Sequence, residues 1–206
     1  MKKLIKLTVL AALAALLLTG CLGLPGGDVQ EPEEPKETIA PLTEPMYEDR
    51  DALYQYYNKV SIGDTLEQLT ELLGEPTIEE TENGQNYVWR TEDGYGVAAV
   101  FFDSGRLRAK VLYYDDLRQL GKLSNATGID QFTHLNKNYT YEMACGLLGG
   151  RSMEIAQVAQ DSSADPEVKR VFVWCNEKGD CIQVLFTGDE KLEQVTYTLA
   201  DDPVSE

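Results

Sequence analysis

Tyr87-Val88-Trp89 and, 85 residues further on, Phe172-Val173-Trp174 decide how this chain is read. The chain has two tryptophans, and both close the same aromatic-valine-tryptophan triplet. Working outward at the same offset, Gly94 meets Gly179, Phe101 meets Phe186 and Leu107 meets Leu192. Upstream the offset is 75. Tyr57 meets Phe132, Val60 meets Leu135, Thr65 meets Thr140, Glu67 meets Glu142, and Leu72-Leu73-Gly74 meets Leu147-Leu148-Gly149. The change of offset is a ten-residue insertion in the second copy. Self-similarity at a fixed offset is the signature of a repeated unit. Residues 47–117 and 131–200 are read as two repeats, joined by a linker at 118–130 and followed by a tail at 201–206.

Both copies carry the same local signals. A short helix ends near Tyr57 or His134. A second helix is predicted over Leu66 to Leu73 and Tyr141 to Leu148. Leu66, Leu69 and Leu73 share one helical face, and Thr65 with Gln68 fits a capping box, with Asp64 as an alternative cap. Gly74 with Pro76, and Gly149-Gly150, stop these helices. Strands are predicted at 77–81, 86–91, 95–103 and 107–114, and again at 155–160, 170–176, 181–187 and 192–199, separated by turn residues such as Glu92-Asp93-Gly94 and Asp103-Ser104-Gly105. The expected fold is α+β, two tandem repeats, each a helix-turn-helix packed on a four-stranded antiparallel sheet.

The N-terminus carries a separate message. Lys2, Lys3 and Lys6 precede an apolar run from Leu7 to Leu18, and Leu18-Thr19-Gly20-Cys21 follows. A charged head, a short apolar middle and a small-residue exit make a signal peptide over residues 1–20. The run falls short of the roughly 20 apolar residues of a membrane span. A cysteine directly after Leu-Thr-Gly resembles the lipobox of bacterial lipoproteins. That resemblance implies lipidation of Cys21, cleavage before it, and a mature chain held outside the cytoplasmic membrane, at the cell membrane or an outer membrane. More than one acyl chain anchors stably where one binds weakly. Residues 21–46 read as a disordered tether, because prolines alternate with Glu31, Glu33, Glu34, Glu37 and Glu44 and little apolar surface is available to bury. Proline and like charges stretch it, at about 3 Å per residue.

Charge narrows the partners. Without Lys2, Lys3 and Lys6 the net charge of −17 becomes −20. Such a chain repels phosphate backbones, so nucleic acid is not an expected partner, and the membrane is met through the lipid alone. Chemistry-bearing patterns are sparse. The sequence lacks GxSxG, GxxxxGK and HExxH, and no cofactor or metal is expected. His134 is the one histidine, too few for a triad or a two-histidine metal site. Glu79-Glu80 and Asp115-Asp116 read as charged turn residues before they read as sugar-flanking pairs. Asp161 and Asp165 lie in the insertion without EF-hand spacing. With Cys21 spent on lipid, Cys145, Cys175 and Cys181 permit one disulfide and one leftover thiol. Cys145 is read as a half-buried, inert helix residue.

The order aromatic, turn, Gly-x-Thr, helix, Leu-Gly, then Phe-x-x-Gly-x-Leu resembles the tandem repeats of secreted β-lactamase inhibitory proteins, and the single unit of SmpA/OmlA lipoproteins. The carrying residues are Val60, Gly63, Thr65, Leu69, Leu73-Gly74, Trp89, Phe101 through Leu107 and Lys110, with Leu135, Thr140, Leu148-Gly149, Phe186 and Leu192 in copy two. Asn138 departs from the glycine of the pattern. The resemblance implies two four-stranded sheets forming a concave surface that grips a partner protein, without catalysis. It also bears on the cysteines, because the strand cysteine of the family resembles Cys175 and bonds toward the helix side. Two pairings stay open. A Cys175–Cys181 hairpin bond sets Trp174 opposite Ile182 on the core face. A Cys145–Cys175 bond moves Trp174 outward.

Face assignments follow from alternation. Ile182, Val184 and Phe186 are uniformly apolar and are assigned to the helix side, and by equivalence so are Val97, Ala99 and Phe101. Val100, Phe102 and Leu185 then point away. The family alignment places Lys110, Leu112 and Tyr114 on the same open face, with Val195, Tyr197 and Leu199 as counterparts. The expected binding surface is therefore Val100, Phe102, Lys110, Leu112, Tyr114, Leu185 and Tyr197, apolar and tyrosine-bearing groups of the kind that suit a protein contact. Leu185 stands where the inhibitor has a large aromatic. The expected function is a lipid-anchored envelope protein that binds another envelope or extracellular protein through open sheet faces. The alternatives are an envelope-assembly accessory of SmpA/OmlA type or, in another class, a cell-wall hydrolase or small-molecule sensor.

Overall fold

Thr65 and Thr140 each start a helix by the same chemistry. In the computed structural model, which describes residues 50–81, 84–114, 127–150, 152–176 and 178–199, the Thr65 hydroxyl accepts the Gln68 N–H at 3.3 Å. The Gln68 side chain accepts the Thr65 N–H at 2.8 Å, closing the capping box. Thr140 accepts the Met143 N–H at 3.3 Å. Cys21, the signal segment, the tether, the tail, Asp115-Asp116 and linker residues 118–126 lie outside the described residues.

In chain order the elements are α1 (Arg50–Tyr54), a 3-10 turn (Tyr57–Lys59), α2 (Leu66–Leu73), β1 (Thr77–Thr81), β2 (Gly84–Arg90), β3 (Gly96–Phe101) and β4 (Leu107–Tyr113). Then follow α3 (Ile129–His134), α4 (Tyr141–Leu148), β5 (Met153–Ala159), β6 (Val168–Cys175), β7 (Cys181–Phe186) and β8 (Leu192–Thr198). Gly74 and Gly149 end α2 and α4 at φ +88° and +84°, where a side chain would be strained. Each tryptophan then ties a helix end to the sheet. Trp89 Nε1 donates to the Gly74 carbonyl at 2.6 Å, and Trp174 Nε1 to the Gly150 carbonyl at 3.0 Å.

The strands correct the expected fold. They form one eight-stranded antiparallel sheet in sequence order, β1 to β8, not two four-stranded sheets under separate helix pairs. The join is β4 with β5, through Ala109–Val158, Lys110–Gln157 and Val111–Ala156. Among the described residues the helices are short, and the chain is mostly β. The physical reason is edge satisfaction. An uncovered β4 would leave a row of unpaired N–H and C=O groups, and β5 takes them up.

Register defines two faces. One cross-strand row runs Ile78, Tyr87, Ala99, Lys110, Gln157, Arg170, Phe186, Leu192. Trp89, Val97 and Leu112 share this face in the first half, and Phe172, Trp174, Ile182 and Val184 in the second. The two tryptophan bonds to the helix ends mark it as the helix side. The adjacent row, on the other face, runs Thr77, Val88, Ala98, Val111, Ala156, Val171, Leu185, Gln194. Its six inner members are apolar and buried. The central strands are thus buried on both faces, which removes the apolar-polar alternation of a half-solvated sheet.

Candidate functional site

The helix-side row changes character at the middle of the sheet. Its flanks are apolar, but β4, β5 and β6 contribute Lys110, Gln157 and Arg170 side by side. Glu154 of β5 gathers Gln157 and Arg170. Its carboxylate accepts the Gln157 side-chain N–H at 2.7 Å, the Arg170 Nε–H at 2.7 Å, and the Tyr57 hydroxyl at 2.8 Å, and a second Arg170 nitrogen pairs with it. The Tyr54 hydroxyl donates to the Glu154 backbone carbonyl at 2.6 Å. Tyr54 ends α1 and Tyr57 opens the 3-10 turn, so these bonds tie the first described elements to a strand 97 to 100 residues later.

Lys110 is 6% exposed. Its ammonium donates to the carbonyls of Val60 at 2.7 Å and Tyr57 at 3.1 Å, and sits 4.2 Å from the Tyr57 ring centroid. It therefore closes the C-terminal end of the 3-10 turn as a cation on carbonyl oxygens. Burial pushes its pKa down from the usual lysine value, while the charges of Glu154 and Asp64 act in the opposite sense. Burial pushes the Tyr57 phenol far up, and Glu154 adds to that by its charge and by accepting the hydroxyl hydrogen. The chemistry of this seam is mutual satisfaction. Both carboxylate oxygens of Glu154 are engaged, and Arg170, with a side chain 45% exposed, is the member that reaches water.

The expected binding residues do not come together. Lys110 and Leu112 lie on the helix side, both buried, which corrects their assignment to the open face. Tyr114 is packed in the same core, and burial, with a contribution from Tyr54, raises its phenol pKa. Tyr197 also lies on the helix side, opposite Ile182 and 5.6 Å from the Phe132 ring of α3. Val100 and Leu185 lie on the other face, Val100 half-buried and Leu185 buried. Phe102 follows β3, half-buried, with the Arg108 guanidinium 5.7 Å from its ring centroid. Cys175 and Cys181 oppose each other across the β6–β7 hairpin and form a disulfide, with Cα atoms 4.2 Å apart. Cys145 takes no part in a disulfide.

The remaining candidates have local partners. His134 Nδ1 lies 2.6 Å from the Asp130 carbonyl. Glu79 pairs with Arg90, and Asp161 accepts the Ser163 N–H at 2.8 Å. Among the described residues no cluster of three His, Cys, Asp or Glu side chains is placed to hold a metal. The seam itself, Glu154, Gln157, Arg170 and Tyr54, went unread in the sequence. Its signal was there: Gln157 and Arg170 interrupt otherwise apolar strand cores. No protein-family model and no curated protein matches the chain.

Proposed function

We propose that this is a lipid-anchored envelope protein that acts by binding another protein, and that it does so at the margins of its sheet. The observation that carries this reading is where the sheet leaves large apolar groups in water. Among the described residues four are exposed, Leu72 and Ile129 on α2 and α3, and two on the sheet, both at its margins: Ile78, on outer strand β1, is 53% exposed, and Leu199, directly after outer strand β8, is 67% exposed. The centre of the sheet is buried on both faces, and the charged groups of the seam are engaged inside the chain, Glu154 with Arg170 and Lys110 with backbone carbonyls. Apolar surface left in water at specific places is what a contact surface leaves when its partner is away. The lipobox resemblance at Cys21 supplies the location, and the acidic surface directs the choice of partner toward neutral or basic proteins.

The test is photo-crosslinking on intact cells. Benzoyl-phenylalanine at position 78 or 199 should give discrete protein adducts, whereas the same probe at exposed Lys137 should not. Adducts no more discrete from 78 and 199 than from 137 would remove the reading. Cys21→Ser should abolish acyl labelling of the chain, and a retained lipid label would remove the anchor.

A further inference from the structure

The two outer strands are not alike. β1 is five residues long, and its sequence Thr-Ile-Glu-Glu-Thr puts two carboxylates on the edge, a device that discourages pairing with a further strand. β8 is seven residues long, Leu-Glu-Gln-Val-Thr-Tyr-Thr, with neither proline nor glycine. Its one charge, Glu193, is held by Lys169 at 2.6 Å, and the register irregularity near Leu192 leaves Gln194 to Thr198 in regular pairing with β7. Among the described residues nothing pairs with its outer side. The chain also contains an internal precedent. β4 closes the first half as β8 closes the second, each in a hairpin bridged to a helix-capping threonine, Thr65 to Arg106 and Thr140 to Lys191. The outer edge of β4 is taken by another antiparallel strand.

We infer that the outer edge of β8 pairs antiparallel with β8 of a second copy of this chain, about a two-fold axis at Thr196. In that register Thr196 opposes Thr196, Val195 opposes Tyr197 on both sides of the axis, Gln194 opposes Thr198, and Glu193 opposes Leu199. Thr–Thr and aromatic–β-branched pairs are among the favourable cross-strand neighbours, and no like charges meet. The axis makes the interface self-complementary and closed. Leu199, exposed in the single chain, then becomes a diagonal neighbour of Val195 of the second copy on the same face. Each chain carries a net charge of −17, so the pairing should tighten as salt screens the repulsion. The inference rests on the reading of the sheet margins as contact surfaces, but it names a partner of its own.

The full-length, membrane-anchored chain tests it through register. Only a residue on the axis sits within disulfide reach of itself, since bridged Cα atoms lie no more than about 7 Å apart. Thr196→Cys should give a reducible dimer on oxidised cells, and Gln194→Cys, whose own copy lies two residue pairs off the axis, should give at least ten-fold less. Equal dimer from both variants, or none from Thr196→Cys, overturns the register. A Thr196→Cys chain that bridges instead to Glu79→Cys on β1 of another copy would mean head-to-tail polymers, and also overturns it. A second pair guards against a misfolded variant. On native gels of detergent-solubilised chains, Thr196→Lys and Thr196→Glu should each run as monomer, and their co-expression should restore the dimer. Failure of that rescue, with both variants folded by melting, sinks the inference. Discrete adducts from position 78 in the crosslinking experiment above would still stand, so the two readings fail separately.

Discussion

Glu154→Ala is the perturbation that most directly probes how the two halves of this sheet are held. The carboxylate accepts from the Tyr57 hydroxyl, the Gln157 amide and the Arg170 guanidinium. A hydrogen bond to a charged group contributes about 1.5–3 kcal/mol, and a buried hydroxyl stripped of its partner costs about 1–3 kcal/mol. The arginine share is discounted, because its side chain is 45% exposed and screened pairs contribute about 0–1 kcal/mol. The Tyr54 bond goes to a backbone carbonyl and survives the substitution. The expected loss is about 2–4 kcal/mol. Glu154→Gln, which keeps an acceptor for Tyr57 but no charge, should lose about half as much.

The assay is urea unfolding of the wild type, Glu154→Ala, Tyr57→Phe and the double variant. If the seam acts as one network, the Tyr57 and Glu154 changes should couple by about 1 kcal/mol or more, where independent sites add within about 0.5 kcal/mol. The wild type should also unfold in one transition, because β4 and β5 make the two halves one sheet. A Glu154→Ala cost below about 1 kcal/mol, or strict additivity with Tyr57→Phe, would refute the view of Glu154 as the tie. Two separated wild-type transitions would refute the cooperative sheet.

Three further outcomes follow from single positions. Among the described residues the buried Tyr114 hydroxyl has no hydrogen-bond partner, so Tyr114→Phe should raise stability by about 1 kcal/mol in thermal melts. Its raised pKa gives the sign with pH. The folded state keeps the phenol neutral while the unfolded chain ionises above its ordinary value of 10.0, so stability present below that pH is lost above it, and the phenylalanine variant should lose less. Replacing Cys175 and Cys181 by alanine opens a loop of six-residue separation, a loss of about 2 kcal/mol from the unfolded chain's regained freedom, read by urea titration with and without reductant. Glu190 is the described non-glycine residue with positive φ, +61°, at the hairpin position where the first half has Gly105. Glu190→Gly should stabilise by about 0.5–1 kcal/mol, and a loss of stability there would show that the Glu190 side chain does more than tolerate its backbone.

Local chemistry was readable because it is written in short windows. Thr65 with Gln68 specifies a cap, Gly74 and Gly149 specify stops, and the hairpin turns carry their glycines. The partner of an edge is not written that way. Nothing in Leu107–Tyr113 alone says whether its second side meets water or Met153–Ala159, and that choice turned an expected pair of small sheets into one sheet. The seam escaped notice for the same reason. Lys110, Gln157 and Arg170 are distant in sequence and become neighbours only once β4 and β5 pair.

The face error on β4 and β8 has a more specific origin, and it shows where alternation stops being a guide. The family resemblance places Lys110, Leu112 and Tyr114 on the open side, and plain alternation from the core residue Leu107 agrees with it, with Ala109 on the helix side. The sheet does the reverse. Phe101 pairs with Leu107 but Val100 pairs with Ala109, so Arg108 is an extra residue in the ladder, and the phase inverts after it. The same slip recurs where Phe186 pairs with Leu192 but Leu185 pairs with Gln194, leaving Glu193 as the extra residue and turning Val195 and Tyr197 toward α3 and α4. A one-residue slip moves every following side chain to the other face. Alternation could not flag it, because every residue of β4 except Arg108 is buried, and a strand buried on both sides has no polar phase to read. Lys110 held the missing information. A lysine in a strand otherwise this apolar needs acceptors within reach, and the backbone carbonyls that end a turn at Tyr57 and Val60 lie only on the helix side.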